Sequence, residues 1–170
     1  MPQPAAYKRT KIVVPAILLI LLAGLMAAVL TAPPRKPPVP LGASATVNGG
    51  LARVNGILPF DNGVGGPDGV ASRFPNPPGP GLHRVRILLE LTALDKGGLS
   101  YHPDDYSVSG LGTGRWTPVW FSPAPSLAAQ GERINAELMF ELPDRAVELT
   151  LEVTGGPGLS LGVGHHRTRG

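Results

Sequence analysis

The hydrophobic period of this chain changes once. From Ile12 to Ala32 there are 21 consecutive residues without a charge, twelve of them Leu, Ile or Val, which predicts a helix that is apolar on every side. At 1.5 Å per residue the run is about 31 Å long, the thickness of bilayer hydrocarbon. Aliphatic residues contribute roughly −0.3 to −0.6 kcal/mol each to insertion, about 5 kcal/mol in total, and no charge opposes them. Pro15 falls in the first turn, where a missing backbone N–H costs little. Beyond residue 44 apolar residues recur at every second position instead, the mark of strands with one buried face.

Three strands are sharply patterned. In His83 to Leu94 the odd positions Val85, Ile87, Leu89, Leu91 and Ala93 are apolar and the even ones include Arg84, Arg86, Glu90 and Thr92. In Glu132 to Leu142 the inward set is Ile134, Ala136, Leu138, Phe140 and Leu142, and in Val147 to Val153 it is Val147, Leu149, Leu151 and Val153. Pro143-Asp144-Arg145 separates the last two, which reads as consecutive antiparallel strands with a tight connection. Weaker strands are predicted over Ala45–Val54, with a bulge at Gly49-Gly50, and over Tyr106–Leu111, Thr117–Phe121 and Leu159–Val163. Short strands, Gly/Pro turns and no amphipathic helix predict an all-β domain: an immunoglobulin-like β-sandwich of about seven antiparallel strands after one N-terminal transmembrane helix.

The predicted order is therefore a basic cytoplasmic tail (1–11), a transmembrane helix (12–32), a Pro-rich stalk (33–44), an extracytoplasmic sandwich (45–164) and a flexible C-terminus (165–170). Five of the eight residues from 33 to 40 are proline, which favours an extended polyproline segment of roughly 25 Å. The competing reading of the apolar run is a cleaved signal peptide, which needs an apolar region of about 7–15 residues and a small-x-small site close behind it. Here the run is longer, and Pro33 follows Ala32 directly. Lys8, Arg9 and Lys11 before the span, against Arg35 and Lys36 after it, put the N-terminus in the cytoplasm and residues 33–170 outside.

His83–Leu94 with the turn Asp95-Lys96-Gly97-Gly98, then Pro103-Asp104-Asp105-Tyr106-Ser107-Val108, then Gln130-Gly131-Glu132 leading to Phe140-Glu141-Leu142-Pro143, resembles the telokin-like, immunoglobulin-like extracytoplasmic domains of unknown function of Gram-positive bacteria. The resemblance covers residues 83–153. Asp95 stands where that family usually has Asn, Leu142 where it often has Val, and a Pro/Gly-rich insert precedes the first matching strand. The resemblance implies a fold and a location outside the membrane, and brings no activity or catalytic residue.

The net charge of +3 changes little once its source is located. Lys8, Arg9 and Lys11 supply all of the excess, since from Pro33 onward there are 12 basic and 12 acidic residues. No basic stripe is left to follow a phosphate backbone, so nucleic acid is excluded as a partner. The chain has no cysteine, which removes lipoprotein acylation and disulfides and leaves the core to hold the domain.

Candidate chemistry is sparse. His165-His166, His83 and His102 lack metal-ligand spacing, and adjacent histidines on an extended segment point apart. Asp61-Asn62-Gly63 and Asp68-Gly69 offer oxygens among glycines, but without the spacing or terminal Glu of a calcium loop. Asp104-Asp105 are adjacent on a predicted strand and so face opposite ways, and Ser100, Ser107, Ser122 and Ser126 have neither a nucleophile-elbow context nor a His partner. The aromatics Trp116, Trp120 and Phe121 cluster together, where they serve either the core or a partner. Residues 59–81 hold twelve Gly or Pro in 23 positions and form either an unstructured insert or a contact loop.

The resulting expectation is a non-enzymatic interaction module without cofactor or metal. The lipid bilayer holds it through residues 12–32, and it meets an envelope protein or wall component through Trp116, Trp120, Phe121, Phe74, Asp61 and Asp68. The alternative is an envelope protein that binds a small ligand or metal.

Overall fold

The computed structural model describes residues 14, 17–24, 26, 37–60, 70–111 and 114–162. The chain divides into two units, residues 1–36 and 37–170. In the first, the described residues are helical, and Val14, Ile17, Leu18, Leu19, Ile20, Leu21, Leu22 and Met26 are all more than half exposed. Among the described residues no helix is long and apolar enough to cross a membrane. The rest of the predicted span, the basic tail, Asp61, Asp68 and the C-terminus 165–170 with His165-His166 lie outside the described residues.

The second unit is mostly β, with antiparallel sheets and one short helix at Val70–Arg73. Its strands are β1 (Ser44–Val47), β2 (Gly50–Pro59), β3 (Leu82–Ala93), β4 (Leu99–Tyr101), β5 (Tyr106–Leu111), β6 (Trp120–Ser122), β7 (Ser126–Ala128), β8 (Arg133–Pro143), β9 (Val147–Val153) and β10 (Leu159–Ser160). One sheet has the order β1-β2-β3-β8-β6, a second β10-β9-β5, and β4 pairs with β7. Side chains from all of these sheets close on one core. The period-two pattern explains why. The inward residues of β3 and β8 read from the sequence are all buried, from 0 to 8 % exposed. Each such Leu, Ile or Phe contributes about 1.5–3 kcal/mol by leaving water.

Four expectations change. The stretch Ala45–Val54 is not one bulged strand. Asn48-Gly49 turns it into the β1–β2 hairpin, with Val47 opposite Gly50 and Gly49 at φ 87°, a conformation that favours glycine. The bulge lies between Val54 and Gly56 instead. Second, β8 and β9 do not pair with each other. β8 lies between β3 and β6, and β9 between β5 and β10, so the turn at Pro143-Asp144-Arg145 carries the chain from one sheet to the other. Buried Leu142 and Ala146 sit on either side of that crossing. Third, Val147 is 45 % exposed, so the inward set of β9 is Leu149 and Leu151, with Val153 partly buried against the core.

Fourth, the stalk is shorter than its composition suggests. Val39 donates to Gly158 O (2.8 Å) and accepts from Ser160 N–H (2.8 Å), making a parallel bridge to Leu159. Gly42 N–H then reaches Val54 O (3.2 Å). Residues 39–43 therefore join the edges of the two sheets and belong to the domain.

The strand directions define two poles. At the proximal pole are the β1–β2 turn, the β3–β4 turn, the turn before β8, and the end of β9. Pro37 lies there too, because the Val39–Leu159 bridge runs parallel to β10 as it leaves that pole. The distal pole holds the end of β2, the start of β3 and the β8–β9 turn.

Candidate functional site

The distal pole is built on an outward-facing cluster that sequence periodicity does not reveal. Phe60, Val70 and Met139 are buried together, with Phe74 and Trp120 packed against them. Phe60 and Phe74 meet edge to face at 6.4 Å, a favoured aromatic arrangement. The Arg84 guanidinium lies 4.7 Å from the Phe74 ring centroid. Arg84 also donates from Nε to Glu141 Oε1 (2.7 Å) and from Nη1 to the Asn76 carbonyl (2.6 Å). These contacts fasten residues 70–81 over the outer face of β3 and β8. They also explain why Arg84 and Arg86, on the face expected to meet solvent, are buried.

The candidate aromatics are thus divided. Phe74 and Trp120 face this cluster and are half-buried, while Phe121, on the other side of β6, is 39 % exposed. Trp116 packs against the main core and bridges Val108 through two backbone hydrogen bonds of 2.8 and 2.9 Å. Trp120 packs against Phe60, Val70 and Met139, away from the main core, and of Trp116, Trp120 and Phe121 only Trp116 reaches that core.

At the proximal pole a groove of about 570 Å³ opens between the strand ends. Asp95, Asp105, Ser100 and Thr154 supply its polar wall, and Val47 and Leu127 its apolar one. Asp104 and Asp105 lie on a 3-10 turn, Pro103–Asp105, and not on a strand. The Asp105 carbonyl accepts from Thr154 N–H (2.9 Å) and Thr154 Oγ1 (3.1 Å), which joins the turn to the end of β9. Ser107 accepts from Arg115 Nε (2.7 Å) and Ser109 donates to Glu152 (2.8 Å). His83 Nδ1 lies 3.1 Å from an Asp144 carboxylate oxygen at the distal pole. Among the described residues no three His, Cys, Asp or Glu side chains are grouped to hold a metal ion. The sequence signal for the groove is Asn48-Gly49: as a hairpin turn, that dipeptide places residues 47–50 beside the 95–98 turn.

Behind the groove Tyr101 and Tyr106 pack ring to ring at 5.8 Å. Burial pushes the Tyr101 phenol up to about 12. Tyr106 is raised too, by burial first and then by Tyr101 and the Asp105 charge. Both hold their proton more tightly in the folded domain than in the unfolded chain, where a phenol titrates near pH ~10. The two phenols therefore leave stability unchanged below about pH 10 and lower it as pH rises toward 12, by roughly 1.4 kcal/mol per pH unit for each group. Urea unfolding at stepped pH checks this: Tyr101→Phe should reduce the alkaline loss by on the order of 2–3 kcal/mol. At neutral pH the substitution should cost under about 1 kcal/mol, because the hydroxyl is buried with no hydrogen-bond partner among the described residues.

No family model, curated protein or solved structure matches this chain.

Proposed function

We propose that this chain is a single-pass, membrane-anchored interaction module without catalytic activity. In this reading residues 12–32 hold the bilayer and residues 1–11 stay in the cytoplasm. An immunoglobulin-like sandwich of the telokin-like kind stands outside, in contact with an envelope protein or wall component. Support for the anchor comes from the length of the uncharged run and from apolar helical side chains that are exposed on all sides. One observation carries the interaction role. The chain comes into the domain at the proximal pole, and the Pro/Gly-rich insert opens at the distal pole, with its ends fastened by Phe60, Val70, Phe74 and Arg84. A loop held rigidly at its base, on the side away from the tether, is the usual arrangement for binding by such folds.

Photo-cross-linking residues at positions 61 and 68 of the full chain, in intact cells, test this reading. They should capture an envelope component that the same group at position 96 does not. Exchanging residues 62–68 for a short Gly-Ser connection should abolish the capture and leave the domain folded, because the fastening residues remain. Unchanged products after that exchange would remove the insert as the contact surface.

A further inference from the structure

We propose that the proximal pole of the domain docks on the lipid headgroup layer of the membrane that holds the chain; this rests on the anchor reading above. The first ground is reach. Ala32 closes the apolar run and Val39 is already bonded into the β-domain. Seven residues at 3.3–3.6 Å each keep these two within about 25 Å of one another, whatever path the chain takes between them. The headgroup layer takes up about 5–7 Å of that distance. The chain therefore enters the domain, at the proximal pole, within a short tether's reach of the lipid, and β3, twelve residues long, separates that pole from the distal one by about 40 Å.

The second ground is what that pole presents. Leu127, 68 % exposed, and Leu94, 49 % exposed, are the two most exposed large apolar side chains among the described residues of the β-domain, and both lie at this pole. Leu127 is on β7 opposite Ser100, and Leu94 directly follows β3. Lys96, also exposed, sits between them in sequence beside Asp95. The charged residues at the pole are mainly acidic, Asp95, Asp105 and Glu132 against Lys96 and Arg133. Such a surface has no attraction for anionic lipid and suits a zwitterionic interface, into which exposed leucines partition. Neither leucine needs to bind strongly, since a linker of a few residues holds the pole at an effective concentration on the order of mM or more.

The chain has no cysteine, so Lys96→Cys and Arg145→Cys each give one labelling site, at the proximal and distal pole respectively. The full chain is reconstituted in phosphatidylcholine vesicles carrying nitroxide-headgroup lipid, and quenching of an attached fluorophore is read. Docking predicts strong quenching at 96 and little at 145. Adding Leu94→Ser and Leu127→Ser, both at exposed positions, should lower the docked fraction at 96 on the order of tenfold. If quenching at 96 survives the double leucine exchange, or equals that at 145, while the chain resists alkaline extraction, docking is overturned and the anchor stands. Release of the chain by alkaline extraction removes both.

Discussion

A chain carrying both Leu21→Arg and Leu22→Arg is expected to leave the membrane fraction altogether. The two positions lie at the middle of the uncharged run, where an arginine cannot reach either interface easily, and their side chains are 67 and 60 % exposed. Replacing a leucine there by arginine changes the insertion free energy by about 3–4 kcal/mol, so the pair costs roughly 6–8 kcal/mol. The apolar residues together supply only about 5 kcal/mol, so the balance reverses. Alkaline carbonate extraction should leave the unaltered chain in the pellet and move the double variant to the supernatant. Leu21→Ala with Leu22→Ala should stay in the pellet. The folded domain should be the same in all three, because its main core is drawn from Ala45 to Leu161. An intact mass that still includes residues 1–32 separates a retained anchor from a cleaved signal. Recovery of the unaltered chain in the supernatant would be fatal to the anchor.

How much of this architecture can be read from the sequence depends on which faces of a strand are buried. β3 and β8 are legible because their inward residues alternate without interruption from Val85 to Ala93 and from Ile134 to Leu142. The outer cluster is not, because Met139 looks like an outward residue of β8 until Phe60, Val70 and Trp120 are brought over it. Arg84 and Arg86 mislead for the same reason: long charged side chains mark solvent only where nothing covers their stems. They are paired instead, Arg84 to Glu141 at 2.6 Å and Arg86 to Glu137 at 3.5 Å.

Strands of two or three residues escape period analysis altogether, since alternation needs about four residues to register. β4 and β7 are of this kind, whereas β6 and β10 show only as parts of the longer stretches Thr117–Phe121 and Leu159–Val163. Register across sheets is equally hidden. β8 and β9 both alternate and are joined by a tight turn, yet each pairs elsewhere. Nothing local in Pro143-Asp144-Arg145 distinguishes a hairpin from a crossing between sheets. The proximal groove is legible only in retrospect, from Asn48-Gly49 and Asp95-Lys96-Gly97-Gly98 taken together.

Those same turns hold the glycines whose replacement should damage the domain most. The hairpin tip, the β3–β4 turn and β7 meet there backbone against backbone. A Cβ on Gly50 would come within 2.0 Å of the Thr92 carbonyl oxygen, and one on Gly98 within 2.3 Å of the Ala128 carbonyl oxygen. Neither obstacle is a flexible side chain that can turn aside. Gly98 also has φ 80°, where alanine is strained by about 1–2 kcal/mol before any clash. Overpacking adds about 1–3 kcal/mol or more, so Gly50→Ala and Gly98→Ala should each lower stability by about 3 kcal/mol or more in urea unfolding of residues 37–170. Two neighbours calibrate the result. Gly42, at φ 82° with nothing within 4 Å of a built Cβ, should cost only its strain, about 1 kcal/mol. Gly97, equally open and not at positive φ, should be neutral or slightly stabilised as alanine. Because Gly50 and Gly98 both adjoin Leu99, the double variant should lose less than the sum of the two. A loss at Gly50 no greater than at Gly97 would mean that the hairpin tip does not lie against β3 at all.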